Sequence, residues 1–206
     1  MTAYVKQASF PPHLVDDRDP PAIALLKEDH QMLRALFDMI ETAADDVVFP
    51  IAGEVCVRLA IHMAIEEDLF YPALKPVIGV NEVDEGIVEH EVTKRLISDI
   101  MGMTGREELF RARVHVLGEG TVHHIDEEDR ILFRDARKAW EEGKIDLVQL
   151  GTEMSRHRRE LFDLVGSIAA DTHTIDLQLV GETIEELPQS GKRNGVAARL
   201  PAEEEV

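Results

Sequence analysis

The sequence predicts an all-α fold in which four amphipathic helices pack as a bundle and a fifth helix follows them. Two observations support this prediction. Apolar residues recur at spacings of three and four along most of the chain, whereas the alternation typical of β-strands is scarce. Histidine and glutamate also recur on the apolar stripes, so that four helices would bring polar groups to one level of the bundle interior.

Composition divides the chain into four segments. Residues 1–21 are rich in proline and aspartate and are predicted to form an extended N-terminal arm. Residues 22–142 form the predicted bundle, and residues 143–171 form the additional C-terminal helix. Residues 172–206 are polar, contain several glycines and prolines and are predicted to be disordered. The tails on both sides of the helices are therefore expected to be flexible.

Each predicted helix is placed by an apolar stripe and by the residues that end it. The predicted helices span about residues 23–40, 55–73, 83–101, 110–140 and 145–170. A break is predicted over residues 45–53, and Pro72 and Pro76 are predicted to close the second helix. Gly102 and Gly105 are predicted to end the third helix, because glycine readily adopts the backbone conformation that follows a helix.

Charge and composition argue against several classes of partner. The chain has 41 acidic and 22 basic residues, a net charge of -19, which repels phosphate backbones and anionic lipid head groups. No uninterrupted apolar run approaches the roughly 20 residues that span a bilayer, and the N-terminus lacks the apolar core of a secretory signal. Cys56 is the single cysteine, so no internal disulfide can form. We expect a cytoplasmic protein that binds neither nucleic acid nor membrane.

An internal repeat of histidine and glutamate is the most informative feature of the sequence. Its two copies are His30 with His62-x-x-x-Glu66, and His90 with His124-x-x-x-Glu128. The surroundings repeat as well, since EDHQMLRALFDMI resembles VEHEVTKRLISDI. Residues four apart share one face of a helix, and this face is the apolar stripe in both copies. The six side chains are therefore predicted to point into the core.

The repeat predicts a site for two metal ions. A buried carboxylate needs a compensating partner, and no matched cluster of Arg or Lys accompanies the two glutamates on these stripes. Six ligands on four helices suit two ions, with the glutamates as bridging ligands. A mixture of imidazole and carboxylate favours iron, manganese or zinc over calcium or copper(I). The structural alternative is a hydrogen-bonded polar layer that holds no metal.

The motifs KEDHQMLRALF, HMAIEEDLFYPAL, EHEVTKRL and HHIDEEDRILF, in this order, resemble the hemerythrin-like HHE cation-binding family over about residues 22–140. The resemblance implies an up-down four-helix bundle with a non-haem diiron centre. The iron ligands that it implies are His30, His62, Glu66, His90, His124 and Glu128. It also implies roles that extend from reversible oxygen binding to oxygen or iron sensing and to peroxide or nitric oxide chemistry.

Function is predicted from this resemblance. We expect a diiron protein that binds or senses O2 or a related small oxidant. One alternative is an iron-dependent enzyme that acts on peroxide or nitric oxide. The other alternative is a helical interaction module that metal binding stabilises. The sequence contains no nucleophile–base triad, phosphate-binding loop or cysteine-based zinc motif that would favour another class.

One position departs from the pattern of the oxygen-carrying hemerythrins. Those proteins have a second histidine on helix three, four residues after the first, and this chain has Lys94 there. Lys94 mirrors Arg34 in the first repeat, and both are predicted to lie at the bundle edge with their charged ends in solvent. Glu67 or His157 could supply the missing ligand, although an exposed Glu67 and a packed His157 are the simpler expectations. The departure argues against reversible oxygen carriage.

Other polar and apolar residues receive structural interpretations. His123-x-x-x-Glu127 overlaps the second motif, but its stripe is polar, so the pair is predicted to face solvent. His13, His115 and His173 are predicted to be solvent-exposed or structural. A dry shell around the six polar residues is predicted to consist of Leu33, Phe37, Leu59, Leu69, Leu117 and Ile131. The stripes of the second and fourth helices continue to Ala73 and Asp135.

Overall fold

A computed structural model describes residues 19–172, and these residues form five helices and no strand. The predicted all-α fold is therefore confirmed. Residues 1–18 of the predicted arm and residues 173–206 of the predicted tail lie outside the described residues, and so do His13 and His173. The boundaries predicted for the four segments stay a prediction.

Short connections join five helices. The helices are α1 (Pro21–Thr42), α2 (Asp45–Ile78), α3 (Asn81–Met101), α4 (Phe110–Glu127, Glu128–Leu132 and Phe133–Glu141) and α5 (Leu147–Thr172). Few residues separate consecutive helices of the bundle, so each helix turns back on the one before it. Gly79, between α2 and α3, has φ of 110°, a region that favours glycine because it lacks a β-carbon.

The break predicted over residues 45–53 is wrong, because α2 begins at Asp45 and continues through Pro50. A proline near the start of a helix removes one backbone hydrogen bond without ending the helix. Tertiary packing offsets that loss. The ring of Phe49 packs against Phe110 of α4 at a centroid distance of 5.8 Å, so this first part of α2 is held against the bundle.

Both helices that contain HxxxE change from α to π geometry at the glutamate. The π segments are Glu66–Phe70 in α2 and Glu128–Leu132 in α4. Pro72 follows the first of them, where the regular ladder of backbone hydrogen bonds is already interrupted. The second helix therefore does not close at Pro72 or Pro76, as predicted, but continues to Ile78.

The π segments displace the buried stripe by one residue. Leu69, Ala73, Ile131 and Asp135, predicted on the stripe, are only partly buried, whereas Phe70, Leu74, Leu132 and Ala136 are buried. A π turn contains one residue more than an α turn, so every position after it rotates away from its α-helical place. The predicted dry shell is therefore correct before the glutamates and shifted by one residue after them.

α2 is a long and apolar helix. By length and composition Asp45–Ile78 is sufficient to cross a membrane, and it is the one helix of which this is true within residues 19–172. However, 61% of its most apolar window is buried inside the bundle. A helix that is apolar on most sides is also what the centre of a bundle requires, so this composition is weak evidence for a membrane span.

The core consists of two apolar clusters with a polar layer between them. On α1, Leu26 belongs to one cluster and Leu33 to the other, with His30 between them. The first cluster includes the N-terminal part of α1 and the buried face of α5. The second cluster includes the C-terminal part of α1 and the first turns of α2 and α4. The polar layer is therefore enclosed by apolar side chains above and below.

Candidate metal centre

The six predicted ligands meet in this polar layer, and all six are buried. They are His30 on α1, His62 and Glu66 on α2, His90 on α3, and His124 and Glu128 on α4. None of the six is more than 7% exposed. The repeat explains why the six side chains lie at one level, because each of the four helices contributes its histidine near the middle of the bundle.

Two overlapping groups of donor atoms arise from this arrangement. One group is His30, His62, Glu66 and Glu128, and the other is Glu66, His90 and His124. Within each group, one donor atom from every residue lies within 4.8 Å of the others. Two groups that share a glutamate are the geometry expected of two neighbouring metal ions. The role of the six residues as ligands nevertheless stays a prediction.

Glu66 lies between a histidine of each repeat. Its Oε2 is 3.3 Å from Nε2 of His62 and 3.4 Å from Nε2 of His90. Burial, followed by the negative charge of Glu128, raises the pKa of Glu66 well above its usual value. A cation that binds Glu66 must replace this proton, and its positive charge would relieve the repulsion between Glu66 and Glu128. This position suits a carboxylate that bridges two ions.

Glu128 takes the equivalent place in the second repeat. Its Oε2 is 3.3 Å from Nε2 of His30 and 3.5 Å from Nε2 of His124. Burial alone would raise the pKa of Glu128, but the charge of His124 and the neighbouring imidazole of His30 outweigh burial and lower it. The two glutamates thus lie side by side with opposite pKa shifts, as expected when two close carboxylates compete for one proton.

Two of the four histidines, His62 and His90, present neutral nitrogen donors, whereas against the effect of burial the carboxylates of Asp129 and Glu128 raise the pKa of His30. Burial, reinforced by the neighbouring charge of His124, lowers the pKa of His90 to about 4, against the opposite effect of Glu67. Burial also lowers the pKa of His62. An imidazole must be neutral to offer its lone pair to a metal, so these shifts favour ligation at neutral pH.

A carboxylate outside the layer faces the second ring nitrogen of each histidine. Nδ1 lies 3.2 Å from Asp129 for His30, 3.7 Å from Asp29 for His62, 2.9 Å from Glu67 for His90 and 2.6 Å from Glu89 for His124. A histidine that binds metal through Nε2 carries its proton on Nδ1 and needs an acceptor there. The distance at His62 is longer than a hydrogen bond, and the other three are not.

Sequence reasoning did not assign this role to any of the four carboxylates, although the repeat contains them and Glu67 was considered as a ligand. Asp29 and Glu89 directly precede the first histidine of each copy, and Glu67 and Asp129 directly follow the glutamate. Both copies of the repeat therefore have an acidic residue directly before the first histidine and another directly after the glutamate. This pattern could not be interpreted without the structure, because residues next to a buried position on a helix ordinarily face solvent.

The chemistry of the donor set can be tested on the structure itself. Among the described residues, the buried atoms of the layer without a hydrogen-bond partner are Nε2 of His30, both ring nitrogens of His62, both carboxylate oxygens of Glu66 and Oε2 of Glu128. Unpaired buried polar atoms are costly and rare in folded proteins. A cation bound to these atoms would satisfy them together. The residues therefore fit a metal site.

Comparison with known families agrees with this geometry. The sequence model of the hemerythrin HHE cation binding domain matches residues 22–136, more than half of the chain. The chain belongs to this family. The matched residues include all six side chains of the polar layer and end within α4. α5 lies outside the matched part of this HHE protein.

Two known proteins resemble this HHE chain. A hemerythrin HHE cation binding domain-containing protein from Mycobacterium kansasii has a similar solved structure, with a TM-score of 0.57 and 20% identity over 76% of this chain and 96% of its own. A DNA nickase from a Nostoc species is 24% identical over 123 residues, which are 59% of this chain. The HHE chain covers only 35% of that relative's length.

The rival candidates lie outside both groups of donors. Glu67 accepts hydrogen bonds from Lys94 at 2.6 and 2.7 Å, besides facing His90. Lys94 is at the bundle edge as predicted, but its ammonium contacts Glu67 instead of ending free in solvent. His157 pairs with Asp68 at 2.9 Å, at the bundle surface. Neither Glu67 nor His157 therefore occupies the place of the missing histidine.

The overlapping motif on α4 faces outward. His123 is 67% exposed and lies 3.9 Å from Glu127. With Glu89, these two residues bring three donor atoms within 4.8 Å of one another on the surface. Such groups of exposed acidic residues are common without a metal. His115, likewise predicted to be exposed, pairs with acidic surface residues.

Tyr71 is the second feature that sequence reasoning missed. Its buried hydroxyl donates a hydrogen bond to Oε1 of Glu128 at 2.9 Å and lies 3.4 Å from Nε2 of His90. A β-carbon at Gly86 would lie 3.0 Å from that hydroxyl, so glycine leaves the space for it. Tyr71 follows Glu66 by five residues, as Phe133 follows Glu128. At this position, therefore, the two halves of the layer differ by the hydroxyl group of Tyr71.

We expect Tyr71→Phe to reduce the free energy of unfolding by about 2 kcal/mol, because a buried carboxylate loses a hydrogen-bond donor while the ring stays in place. Urea unfolding of chelator-treated protein measures this difference. An unchanged free energy of unfolding would show that the hydrogen bond to Glu128 contributes nothing to the fold.

Proposed function

We propose that this HHE protein binds two iron ions in a non-haem diiron centre and that it binds or senses O2 or a related small oxidant. The observation behind this proposal is the set of six buried polar residues, four of which have ring nitrogens or carboxylate oxygens without a hydrogen-bond partner, enclosed between two apolar clusters. Nitrogen and oxygen donors in this ratio suit iron, and manganese and zinc are the competing ions. Membership of a cation-binding family supports the same proposal.

The residues have distinct roles under this proposal. The histidines would give nitrogen donors, and the outer carboxylates beside His30, His90 and His124 would hold the proton of those rings on Nδ1. Glu66 and Glu128 would supply the carboxylate ligands, and Tyr71 holds one oxygen of Glu128 by its hydrogen bond. The apolar clusters limit the access of water. Iron in this set would supply open coordination positions and a redox couple.

Turnover distinguishes the binding protein from an enzyme. An enzyme that acts on peroxide or nitric oxide would consume many equivalents of its substrate per iron-loaded chain, whereas a binding or sensing protein would respond to about one equivalent. A helical interaction module would respond to neither. Steady-state assays with both oxidants on the iron-loaded protein separate the three possibilities.

We propose a cytoplasmic setting without nucleic acid or membrane as a partner. The similarity to a DNA nickase covers about a third of that protein, and the net charge of -19 opposes contact with a phosphate backbone. Cys56 is buried, and burial raises the pKa of its thiol to about 12, so it is an inert thiol. Both points fit a protein that works on small molecules in a reducing compartment.

Iron stoichiometry tests the proposed function. We expect about two ions per chain after anaerobic loading with ferrous iron, and a visible absorption that appears on exposure to air. His124→Ala should bind about one ion per chain fewer, whereas His123→Ala, a substitution of its exposed neighbour, should still bind about two. Elemental analysis measures the iron content. Protein that takes up no iron from an iron-replete medium or on titration would refute the proposal.

A further inference from the structure

The fifth helix covers one side of the metal centre although it lies outside the part of the chain that the family model matches. α5 packs against α1 and α2 through a buried face that includes Met154 and Leu161. At Gly151 the two backbones are so close that a β-carbon would lie 2.4 Å from the amide nitrogen of Ala22. α5 is therefore a tightly docked part of the described fold.

A chain of charged contacts leads from α5 to His62. Arg158 donates a hydrogen bond from Nη1 to Oδ1 of Asp29 at 2.8 Å. Oδ2 of the same carboxylate is the acidic group that faces Nδ1 of His62, at 3.7 Å. A guanidinium that holds one oxygen fixes where the other points. Arg158 thus positions the carboxylate nearest to Nδ1 of His62, which at 3.7 Å faces the ring without accepting a hydrogen bond. His62 needs such an acceptor close by when its Nε2 binds a metal.

This contact breaks the symmetry of the repeat. Glu67 and Asp129 each lie near a basic residue of the bundle itself, Lys94 and Arg34. Glu89, the counterpart of Asp29, faces His124 but pairs with no Lys or Arg within residues 19–172. α5 therefore contacts the outer carboxylate beside His62, and among residues 19–172 no Lys or Arg makes the equivalent contact to Glu89 beside His124.

A second contact connects α5 to the turn that follows Glu66. Nε2 of His157 lies 2.9 Å from Oδ2 of Asp68, inside the first π segment. Asp68 is two residues beyond Glu66, the glutamate shared by both groups of donors. Adjacent residues of α5 therefore contact both ligand-bearing helices on this side, α1 through Asp29 and α2 through Asp68.

We propose that Arg158 is a positioning residue of the metal centre and that docking of α5 is coupled to metal occupancy. This inference rests on the proposed function. If docking of α5 holds Asp29 against His62 and so strengthens metal binding, then metal binding strengthens docking of α5 by the same factor.

Ferrous iron affinity tests the positioning role. Competition with a chelator measures the dissociation constant of the full chain and of three variants. Arg158→Ala should weaken binding by about tenfold, in the range observed when outer partners of metal ligands are removed. Arg158→Lys should restore part of the affinity, because it keeps the charge and one donor. Arg159→Ala removes the same side chain from an exposed neighbouring position and should change nothing.

Hydrogen exchange tests the coupling without a substitution. In the unmodified chain, ferrous iron should slow amide exchange in residues 147–172 as well as around the ligands, and Arg158→Ala should reduce that effect. Affinity that is equal in Arg158→Ala and Arg159→Ala, or exchange in α5 that iron does not change, would overturn this inference while the diiron proposal stands. An unmodified chain that binds no iron would refute both.

Discussion

Glu128→Ala is expected to abolish binding of two metal ions, whereas Glu127→Ala is expected to leave binding intact. Glu128 is 4% exposed, and its Oε2 lies between His30 and His124. Removing this carboxylate removes one of the proposed ligands and leaves His30 and His124 without their shared acidic neighbour. Glu127 is one residue away, but it points outward and contacts Arg130 on the surface.

The pair is a sharp test because both variants delete the same side chain from the same helix. Iron content per chain after anaerobic loading, measured by elemental analysis, is the quantity to compare. We expect a fall from about two ions to one or none for Glu128→Ala. Equal loss in both variants would mean that surface acidity attracts the metal, and the reverse order would mean that α4 presents its other face to the core.

Iron is expected to raise the melting temperature substantially. A ligand present at about 1,000 times its dissociation constant stabilises the native state by about 4 kcal/mol. Each kcal/mol raises the melting temperature of a domain of this size by about 2–4 °C, so we expect a rise of about 8–16 °C. The physical reason is that the ion binds buried donor atoms that have no partner in the folded protein.

Thermal unfolding with ferrous iron and with a chelator measures this rise. His62→Ala should lose most of it, since His62 contributes a buried donor. His115→Ala, a substitution at a surface position that is 57% exposed, should keep it. A melting temperature that iron does not change would favour a polar layer that holds no metal, and the six buried residues would then have a structural role.

Much of the site could be predicted from the sequence because a helix has a fixed period. Spacings of four place His62 with Glu66, and His124 with Glu128, on single faces, and the apolar neighbours of these residues indicate that those faces are buried. The internal repeat then shows that two such helices are related. These are local properties, so the four helices of the bundle and the burial of the six polar residues followed from the order of residues.

The π segments could not be predicted in the same way. Periodicity assumes an unbroken α-helix, and this assumption misplaced Leu69 and Ile131, whose neighbours Phe70 and Leu132 are the buried residues. The predicted break at residues 45–53 failed for a related reason, since Pro50 is a local signal and the packing of Phe49 against Phe110 is not. Local propensity yields to tertiary contacts when these bury enough apolar surface.

The sequence by itself determined the number of helices, the buried stripes up to each glutamate and the six polar residues, because all of these depend on residues a few positions apart. Only the tertiary structure decided which groups surround them. Tyr71 meets Glu128 across 57 residues of sequence, and Arg158 meets Asp29 across 129. Such pairs leave no periodic signal, because the distance between helices in space is set by packing and not by spacing along the chain.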